Sequence, residues 1–169
     1  MYWCLGMYAS ASTWTYNLVK QIAATLLPDR PVLSRFVADE LPTPQEAEAH
    51  TVVVKTHASI AYEELARRAT AIIITIRDPR DAIASLLTHN KVPFEMALNV
   101  TEATAGMCGH FMSDPRAVAL KFEDRFFDDP ATVARIAARF PGMLSDADAA
   151  RIFAALRRGA VDSFIANLD

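Results

Sequence analysis

Three short segments carry polar residues whose types suit the binding of an anionic group and the acceptance of a proton. The first, from Gly6 to Trp14, reads GMYASASTW and leads directly into a helical pattern. Small and hydroxyl residues at a strand-to-helix turn leave backbone N–H groups free to face an anion, and the helix dipole adds positive charge. Ser10, Ser12 and Thr13 can add hydroxyl donors. The segment therefore predicts an anion-binding turn or, alternatively, an ordinary helix cap by Ser12 or Thr13.

The same turn has the spacing of the phosphate-binding loop of P-loop nucleoside triphosphatases but lacks two of its residues. Ala11 stands where that loop has its second glycine, and Ser12 stands where it has its lysine. Because that lysine binds the terminal phosphates and is absent here, we do not expect a nucleoside triphosphatase.

The second segment, Lys55-Thr56-His57, ends another apolar run. A histidine whose pKa is near 6.5 is largely neutral at pH 7 and can accept a proton. A neighbouring ammonium group can stabilise negative charge that develops during a reaction. A single histidine at a strand end is often purely structural, but its place beside Lys55, at the same edge as the first segment, favours a role in chemistry.

The third segment, from Arg77 to Ser85, reads RDPRDAIAS and follows a third apolar run. A guanidinium group at a strand end forms a forked donor for phosphate oxygens. Ser85 lies two helical turns beyond Asp78, and its short side chain permits close approach of a ligand. The alternative is that Arg77 pairs with a carboxylate and that Ser85 only packs.

Strand and helix patterns alternate along the chain and would position these segments. Short apolar runs at residues 3–7, 51–55, 71–76 and 117–122 suit strands buried on both faces of a parallel sheet. Helical patterns start near residues 13, 78, 93 and 129, with a last one near 149–156. Residues 28–48 read as a long, partly irregular surface connection with room for a short strand at 32–36.

This alternation predicts an α/β fold of three layers, with a central, mostly parallel sheet of four to five strands flanked by helices. In such sheets, ligands bind at the carboxyl ends of the strands, where all three segments lie. The 169 residues, 52% of them hydrophobic, suit one domain that spans residues 1–169.

Charge and composition exclude several classes of protein. A formal net charge of −3 argues against a nucleic-acid partner. Two cysteines and four scattered histidines predict neither a disulfide framework nor a metal site. Without a signal peptide or an apolar run long enough to span a bilayer, a cytoplasmic location is expected.

In their order along the chain, the segments resemble the motifs of the sulfotransferases that use 3′-phosphoadenosine 5′-phosphosulfate (PAPS). That family commonly has Pro-Lys-Ser-Gly-Thr-Thr-Trp in its 5′-phosphosulfate loop, where residues 8–14 here read YASASTW. Residues 55–57 match its Lys-Thr-His, and residues 77 and 85 match the Arg and Ser of its 3′-phosphate motif. Residues 122–124, with Asp129-Pro130 after them, resemble its Tyr-Glu-Asp segment, and residues 157–159 resemble its C-terminal Arg-Lys-Gly.

The resemblance implies a P-loop-like sulfotransferase fold and transfer of a sulfuryl group from PAPS to a hydroxyl or amine of a small-molecule acceptor. It implies that His57 takes the acceptor's proton, that Lys55 assists the transfer and that the product nucleotide is 3′-phosphoadenosine 5′-phosphate (PAP). It assigns the nucleotide to Ser10, Ala11, Ser12, Thr13, Trp14, Arg77, Ser85, Arg157, Arg158 and Gly159.

The chain departs from the family pattern in the first loop, where Ala9 replaces the lysine and Ala11 replaces the glycine. Losing one charge-stabilising donor typically costs about 10²–10³ in rate. A second function is therefore open: a PAP- or nucleotide-binding module, or another group-transfer enzyme on the same fold. Arg157-Arg158-Gly159 also has an alternative, since basic residues followed by glycine commonly end a helix.

Overall fold

A five-stranded parallel sheet forms the centre of the protein, as seen in a computed structural model that describes residues 1–36, 41–57 and 61–156. The strand order is β2-β3-β1-β4-β5. The strands are β1 (Tyr2–Gly6), β2 (Val32–Phe36), β3 (Thr51–Thr56), β4 (Ala71–Ile76) and β5 (Ala117–Lys121). All four pairings are parallel, which confirms the α/β class predicted from the alternation of patterns.

Helices cover both faces of the sheet. They are α1 (Ser12–Leu26), α2 (Pro44–Ala49), α3 (Tyr62–Arg68), α4 (Pro79–Ser85), α5 (Phe94–Phe111), α6 (Ala131–Ala137) and α7 (Asp146–Ala155). Buried side chains of α1, α6 and α7 form one apolar cluster with the sheet, whereas those of α3, α4 and α5 form a second cluster. The helix that follows β1 and the helix that follows β4 therefore lie on opposite faces.

The central strand β1 shows why these sequences form buried strands. Tyr2 and Cys4 belong to one apolar cluster, and Trp3 and Leu5 belong to the other, so successive side chains enter opposite faces of the sheet. All four are almost completely buried. The indole nitrogen of Trp3 donates to Thr56 Oγ1 at 2.9 Å, which satisfies its one polar atom within the core.

The connections that leave the central strands diverge at the carboxyl edge of the sheet. From β1 the chain passes through α1 to the edge strand β2, whereas from β3 it passes through α3 to β4 on the other side of β1. A crevice opens where connections diverge in this way, and ligands bind there in open α/β sheets. Gly6 ends β1 at this crevice, and a Cβ atom on it would lie 2.4 Å from Thr75 Oγ1 and 2.5 Å from Ser12 Cβ.

The structure differs from the sequence prediction in the connection between β1 and β4. The helix α2 forms over Pro44–Ala49, where residues up to 48 were predicted as part of an irregular stretch, and α3 was not predicted. Thr43 and Glu46 form a capping box that starts α2: each side chain accepts from the other residue's backbone N–H. Local capping therefore stabilises a helix that is too short to show apolar periodicity.

A further difference follows α4, where the predicted helix was continuous. The α-helix stops at Ser85, and residues Leu86–Asn90 form a π-helical turn that ends at Lys91, whose φ is 54°. Single π-turns within helices frequently occur at functional sites. Within the described ranges, no helix combines the length and apolar character that crossing a bilayer requires.

Candidate active site

A cavity of about 690 Å³ lies at the carboxyl edge of the sheet, between the loop after β1 and the helix α4 with its π-turn. Its volume falls within the range of roughly 300–1,000 Å³ that is typical of small-molecule sites. The lining residues are Tyr8, Ala9, Ala11, Ser12, Thr13, His57, Arg77, Asp81, Ala84, Ser85, Leu86, Thr88, His89, Asn90 and Phe122. Three segments far apart in sequence thus face one space.

The loop after β1 presents the N-terminus of α1 to this cavity. Ala11 is the N-cap residue, and no side chain caps the helix, so the alternative of a cap by Ser12 or Thr13 is not what the structure shows. Ala11, Ser12 and Thr13 line the cavity. The first N–H groups of a helix lack partners within the helix and attract anions, and here they border an open space.

Two alanines in this loop adopt the left-handed conformation, with φ of 56° at Ala9 and 61° at Ala11. This conformation costs a residue other than glycine roughly 1–2 kcal/mol. The loop keeps it because its neighbours are held in place. Ser10 is buried, and its hydroxyl donates to the Met7 carbonyl at 2.6 Å and lies 2.8 Å from Thr75 Oγ1.

The side chain of Ser10 therefore does not line the cavity, although the sequence assigned its hydroxyl to the anion. It ties the loop to β4 instead. Trp14 also lies elsewhere: its indole nitrogen donates to the Leu156 carbonyl at 3.0 Å, and its ring packs against Phe126 and Phe153. Its side chain connects α1 to α7 and the segment before α6.

Lys55 lies beneath the loop rather than among the residues that line the cavity. Its side chain is 8% exposed, and Nζ donates to Thr13 Oγ1 at 2.7 Å. The same ammonium lies 5.3 Å from the centre of the Phe36 ring, within the range of a cation–π contact. Burial lowers the pKa of Lys55. Thr13, which lines the cavity, thus accepts from the ammonium group of Lys55 behind it.

His57 follows β3 and lines the cavity with one ring nitrogen already bonded. Nδ1 lies 2.8 Å from the Gly6 carbonyl oxygen, which can only accept, so Nδ1 carries the proton. Nε2 is then the ring nitrogen that carries the lone pair. Burial, as the largest cause, and Lys55 lower the pKa of His57, while the bond to Gly6 raises it, and the net direction is downward.

Arg77 also lines the cavity, directly after the end of β4. Its Nη1 donates to the Ala9 carbonyl at 3.0 Å, and its guanidinium lies 4.2 Å from the centre of the Phe122 ring. Its Nε is buried and has no hydrogen-bond partner among the described residues. The predicted alternative, a pair with a carboxylate, does not occur within the described part of the chain.

Ser85 lines the cavity from the last turn of α4, so that the structure brings it to the same space as Arg77. The π-turn adds Thr88, His89 and Asn90, which the sequence analysis did not select. Tyr8, to which the sequence motifs assign no role of its own, stacks its ring on His57. Residue types alone predict neither the π-turn nor the stacking of Tyr8 on His57, because both depend on the path of the local backbone.

The segment after β5 supports the cavity beside Arg77. Phe122 lies beneath Arg77, and Glu123 Oε1 accepts from the backbone N–H of Asp78 at 2.7 Å, just before α4 begins. Arg157, Arg158 and Gly159, predicted to contact the nucleotide, lie outside the described residues. Within residues 1–36, 41–57 and 61–156, no cluster of His, Cys, Asp and Glu is arranged to hold a metal ion.

The sequence matches no model of a known protein family and no curated protein. The fold, in contrast, is similar to solved structures. Mouse sulfotransferase SULT7A1 complexed with PAP matches with a TM-score of 0.64 and 12% identity, over 96% of this chain and 66% of that one. Retinol dehydratase in complex with androsterone and the inactive cofactor PAP matches with a TM-score of 0.67 and 17% identity, over 94% of this chain and 64% of that one.

A second structure of retinol dehydratase, with retinol and PAP, has a TM-score of 0.64 and 18% identity, over 94% of this chain and 65% of that one. The chain therefore spans slightly less than two thirds of the length of these proteins. At such identities the similarity establishes the architecture, in agreement with the fold that the sequence motifs implied.

Proposed function

We propose that this chain, whose fold is that of the sulfotransferases, transfers a sulfuryl group from PAPS to a hydroxyl or amine of a small-molecule acceptor and leaves PAP. The observation on which the proposal depends is that one cavity is bordered by the uncapped N-terminus of α1, by Arg77 and Ser85, and by His57. Two anion-binding features and a proton acceptor are what this reaction requires.

Arg77 and Ser85 are the proposed contacts of the 3′-phosphate. The Nε of Arg77 is a buried donor that has no partner among the residues that the structure describes, and such a group costs free energy until an acceptor reaches it. Phosphate oxygens accept from a guanidinium group in a forked geometry. The hydroxyl of Ser85 adds a second donor, on a short side chain that lines the same cavity. The donor set therefore fits a phosphate group.

The N-terminus of α1 is the proposed site of the 5′-phosphosulfate. Its first N–H groups and the hydroxyls of Ser12 and Thr13 border the cavity. Helix N-termini stabilise anions through these donors and through the helix dipole. Lys55 adds a positive charge behind Thr13, whose oxygen lies 2.7 Å from Nζ.

His57 is the proposed base. Its Nε2 takes the proton of the acceptor while the acceptor oxygen or nitrogen forms a bond to sulfur. The bond between sulfur and the 5′-phosphate oxygen breaks at the same time, and PAP leaves with the electron pair. Because the pKa of His57 is lowered, its neutral form predominates at pH 7 and can accept a proton. Lys55 and the helix N-terminus offset charge on the leaving oxygen.

A second candidate function is PAP binding without transfer, and the residue that favours it is Ala9. The family's loop lysine is absent from this position, and the Ala9 carbonyl instead accepts from Arg77. Binding at the 3′ end depends on Arg77 and Ser85 and needs neither a loop lysine nor a base.

Two measurements test the proposal. PAP is expected to raise the melting temperature far more than ATP or AMP at equal concentration, because it alone of the three carries a 3′-phosphate. With radiolabelled PAPS and a panel of hydroxyl and amine acceptors, His57→Ala is expected to abolish transfer while the Kd of PAP stays nearly unchanged. His110→Ala, on α5 away from the cavity, is the control.

Equal thermal shifts for the three nucleotides would contradict the assignment of the 3′ end. Transfer retained in His57→Ala would show that His57 is not the base. Selective PAP binding with no transfer to any acceptor in the native protein would favour the binding module.

A further inference from the structure

Tyr8, in the loop after β1, and His57, after β3, form a stacked pair. Their ring centres lie 4.0 Å apart, and their planes differ by 15°. Both residues line the cavity. The sulfotransferase loop that this segment resembles has a proline at the position of Tyr8, so the family pattern assigns no role to an aromatic ring there.

Within the described ranges, three contacts with different directions position the His57 ring. Gly6 accepts from Nδ1 in the plane of the ring, Tyr8 covers one face, and the ring of Phe36 lies 5.8 Å away at an angle of 66°. Phe36 is 61% exposed and comes from the end of an edge strand, so it restrains the ring less than a buried side chain would. The face contact from Tyr8 therefore supplies most of the restraint against rotation of the ring out of its plane.

Tyr8 is itself held in a fixed loop. Ser10 bonds to the Met7 carbonyl, and Arg77 bonds to the Ala9 carbonyl, so the residues on both sides of Tyr8 are tied to the body of the protein. A ring in such a loop can act as a support, because moving it requires breaking bonds on either side.

We propose that Tyr8 is a positioning residue: its stacked ring keeps the His57 imidazole where Nδ1–H donates to the Gly6 carbonyl, which maintains the Nδ1–H tautomer and directs Nε2 toward the cavity. The ring of Tyr8 acts through stacking, and it also excludes water from one face of the imidazole. The catalytic consequence rests on the proposed function, since it assumes that His57 is the base. The structural consequence, a single tautomer, does not rest on it.

The stacking and the hydroxyl of Tyr8 make different predictions. The observed contact with His57 is made by the ring of Tyr8 rather than by its hydroxyl. Tyr8→Phe keeps the ring and removes the hydroxyl, whereas Tyr8→Leu removes the ring and keeps an apolar side chain.

The ¹⁵N chemical shifts of the His57 ring test the proposal, because they distinguish the two neutral tautomers. The native protein and Tyr8→Phe are expected to show the Nδ1–H form alone, and Tyr8→Leu is expected to show a mixture. Tyr62→Leu is the matched control: it removes another tyrosine–histidine contact, between Tyr62 and His110 at 6.3 Å, and is expected to leave the His57 signals unchanged.

A pH titration of the same signals gives a second readout. Burial is the main cause that lowers the pKa of His57, and the charge of Lys55 lowers it further. Tyr8 covers one face of the ring. Removing the Tyr8 ring exposes one face of the imidazole while Lys55 stays in place. The pKa of His57 is therefore expected to rise in Tyr8→Leu and to stay as in the native protein in Tyr8→Phe.

Transfer kinetics connect this restraint to the reaction. Tyr8→Leu is expected to lower kcat about tenfold while the KM for PAPS stays within about twofold, because the base is misplaced and the nucleotide contacts remain. Tyr8→Phe, which keeps the ring, is expected to have nearly the native kcat. A loss of kcat in Tyr8→Phe as large as that in Tyr8→Leu would overturn the stacking role.

A single Nδ1–H tautomer in Tyr8→Leu would also overturn the proposal, whatever the kinetics show. If Tyr8→Leu does not fold, the native protein still decides: an Nε2–H form or a mixture in its spectrum excludes the proposed restraint. Absence of sulfuryl transfer in the native protein would refute the proposed function and leave the tautomer measurements unaffected, so that the two failures are distinguishable.

Discussion

Arg77 donates from Nη1 to the carbonyl oxygen of Ala9 at 3.0 Å and so joins two predicted anion-binding segments that lie 68 residues apart in the sequence. The bond uses one of several donors of the guanidinium group and leaves Nε buried without a partner among the described residues. Arg77 therefore has two roles in the cavity: it fixes the loop after β1 and presents donors to a ligand.

Replacing Arg77 with lysine is expected to weaken PAP binding by about 2 kcal/mol, or roughly thirtyfold in Kd, with little effect on AMP binding. A lysine keeps the charge but cannot donate in a forked geometry. Isothermal titration with PAP and AMP measures the difference. Arg80→Lys is the matched control, because Arg80 is exposed, pairs with Asp78 and does not line the cavity. Equal losses of affinity for PAP and AMP in Arg77→Lys would place the 3′-phosphate elsewhere.

The lowered pKa of His57 predicts a pH dependence of stability. The folded-state pKa lies below the ordinary value of 6.5, so the unfolded chain binds a proton at a higher pH than the folded chain does. The free energy of unfolding is therefore expected to fall as pH decreases through 6.5 toward the folded-state pKa. Urea midpoints between pH 7.5 and pH 5 measure this fall, which is expected to be smaller in His57→Asn. Identical slopes for the two proteins would contradict the lowered pKa.

Restoring a lysine in the loop tests the proposed 5′ site. Ala9→Lys is expected to raise the rate of sulfuryl transfer by about 10²-fold, the usual effect of one charge-stabilising donor. Since Ala9 already has φ of 56°, lysine adds little backbone strain there. Ala84→Lys places the same charge on the α4 side of the cavity and is the control. An equal gain in Ala84→Lys would indicate a general effect of charge rather than a contact with the leaving group.

Relieving strain at the start of α1 is expected to stabilise the protein. Ala11→Gly removes the cost of a left-handed alanine at φ of 61°, for a net gain of about 1 kcal/mol after the extra entropy of the unfolded chain. The melting temperature should rise by about 2–4 °C. Ala24→Gly, at an exposed position inside α1, should instead lower stability by about 1 kcal/mol. A loss of stability in Ala11→Gly would mean that the left-handed conformation is not strained.

Strands were the most predictable part of this fold. The runs at residues 71–76 and 32–36 match β4 and β2. The runs for β3 and β5 differ from the strands by one residue at one end, and the run for β1 is displaced by one residue at both ends. Strands that are buried on both faces need continuous apolar runs, so the composition alone reveals them. The helix α2 was not predicted because its start depends on the capping bonds of Thr43 and Glu46. None of its six residues is buried, so it has no apolar face that a sequence pattern could show.

The class of fold, and the presence of polar segments at the carboxyl edge of the sheet, could be predicted from the sequence alone. These predictions follow from local patterns: apolar periodicity, strand ends and polar residues next to them. Which side chains line the cavity depends on the tertiary structure. Ser10 and Trp14 bond to distant parts of the protein, whereas Tyr8 and the π-turn face the site. Such choices depend on neighbours far apart in the chain, whose packing and hydrogen bonds no local pattern contains.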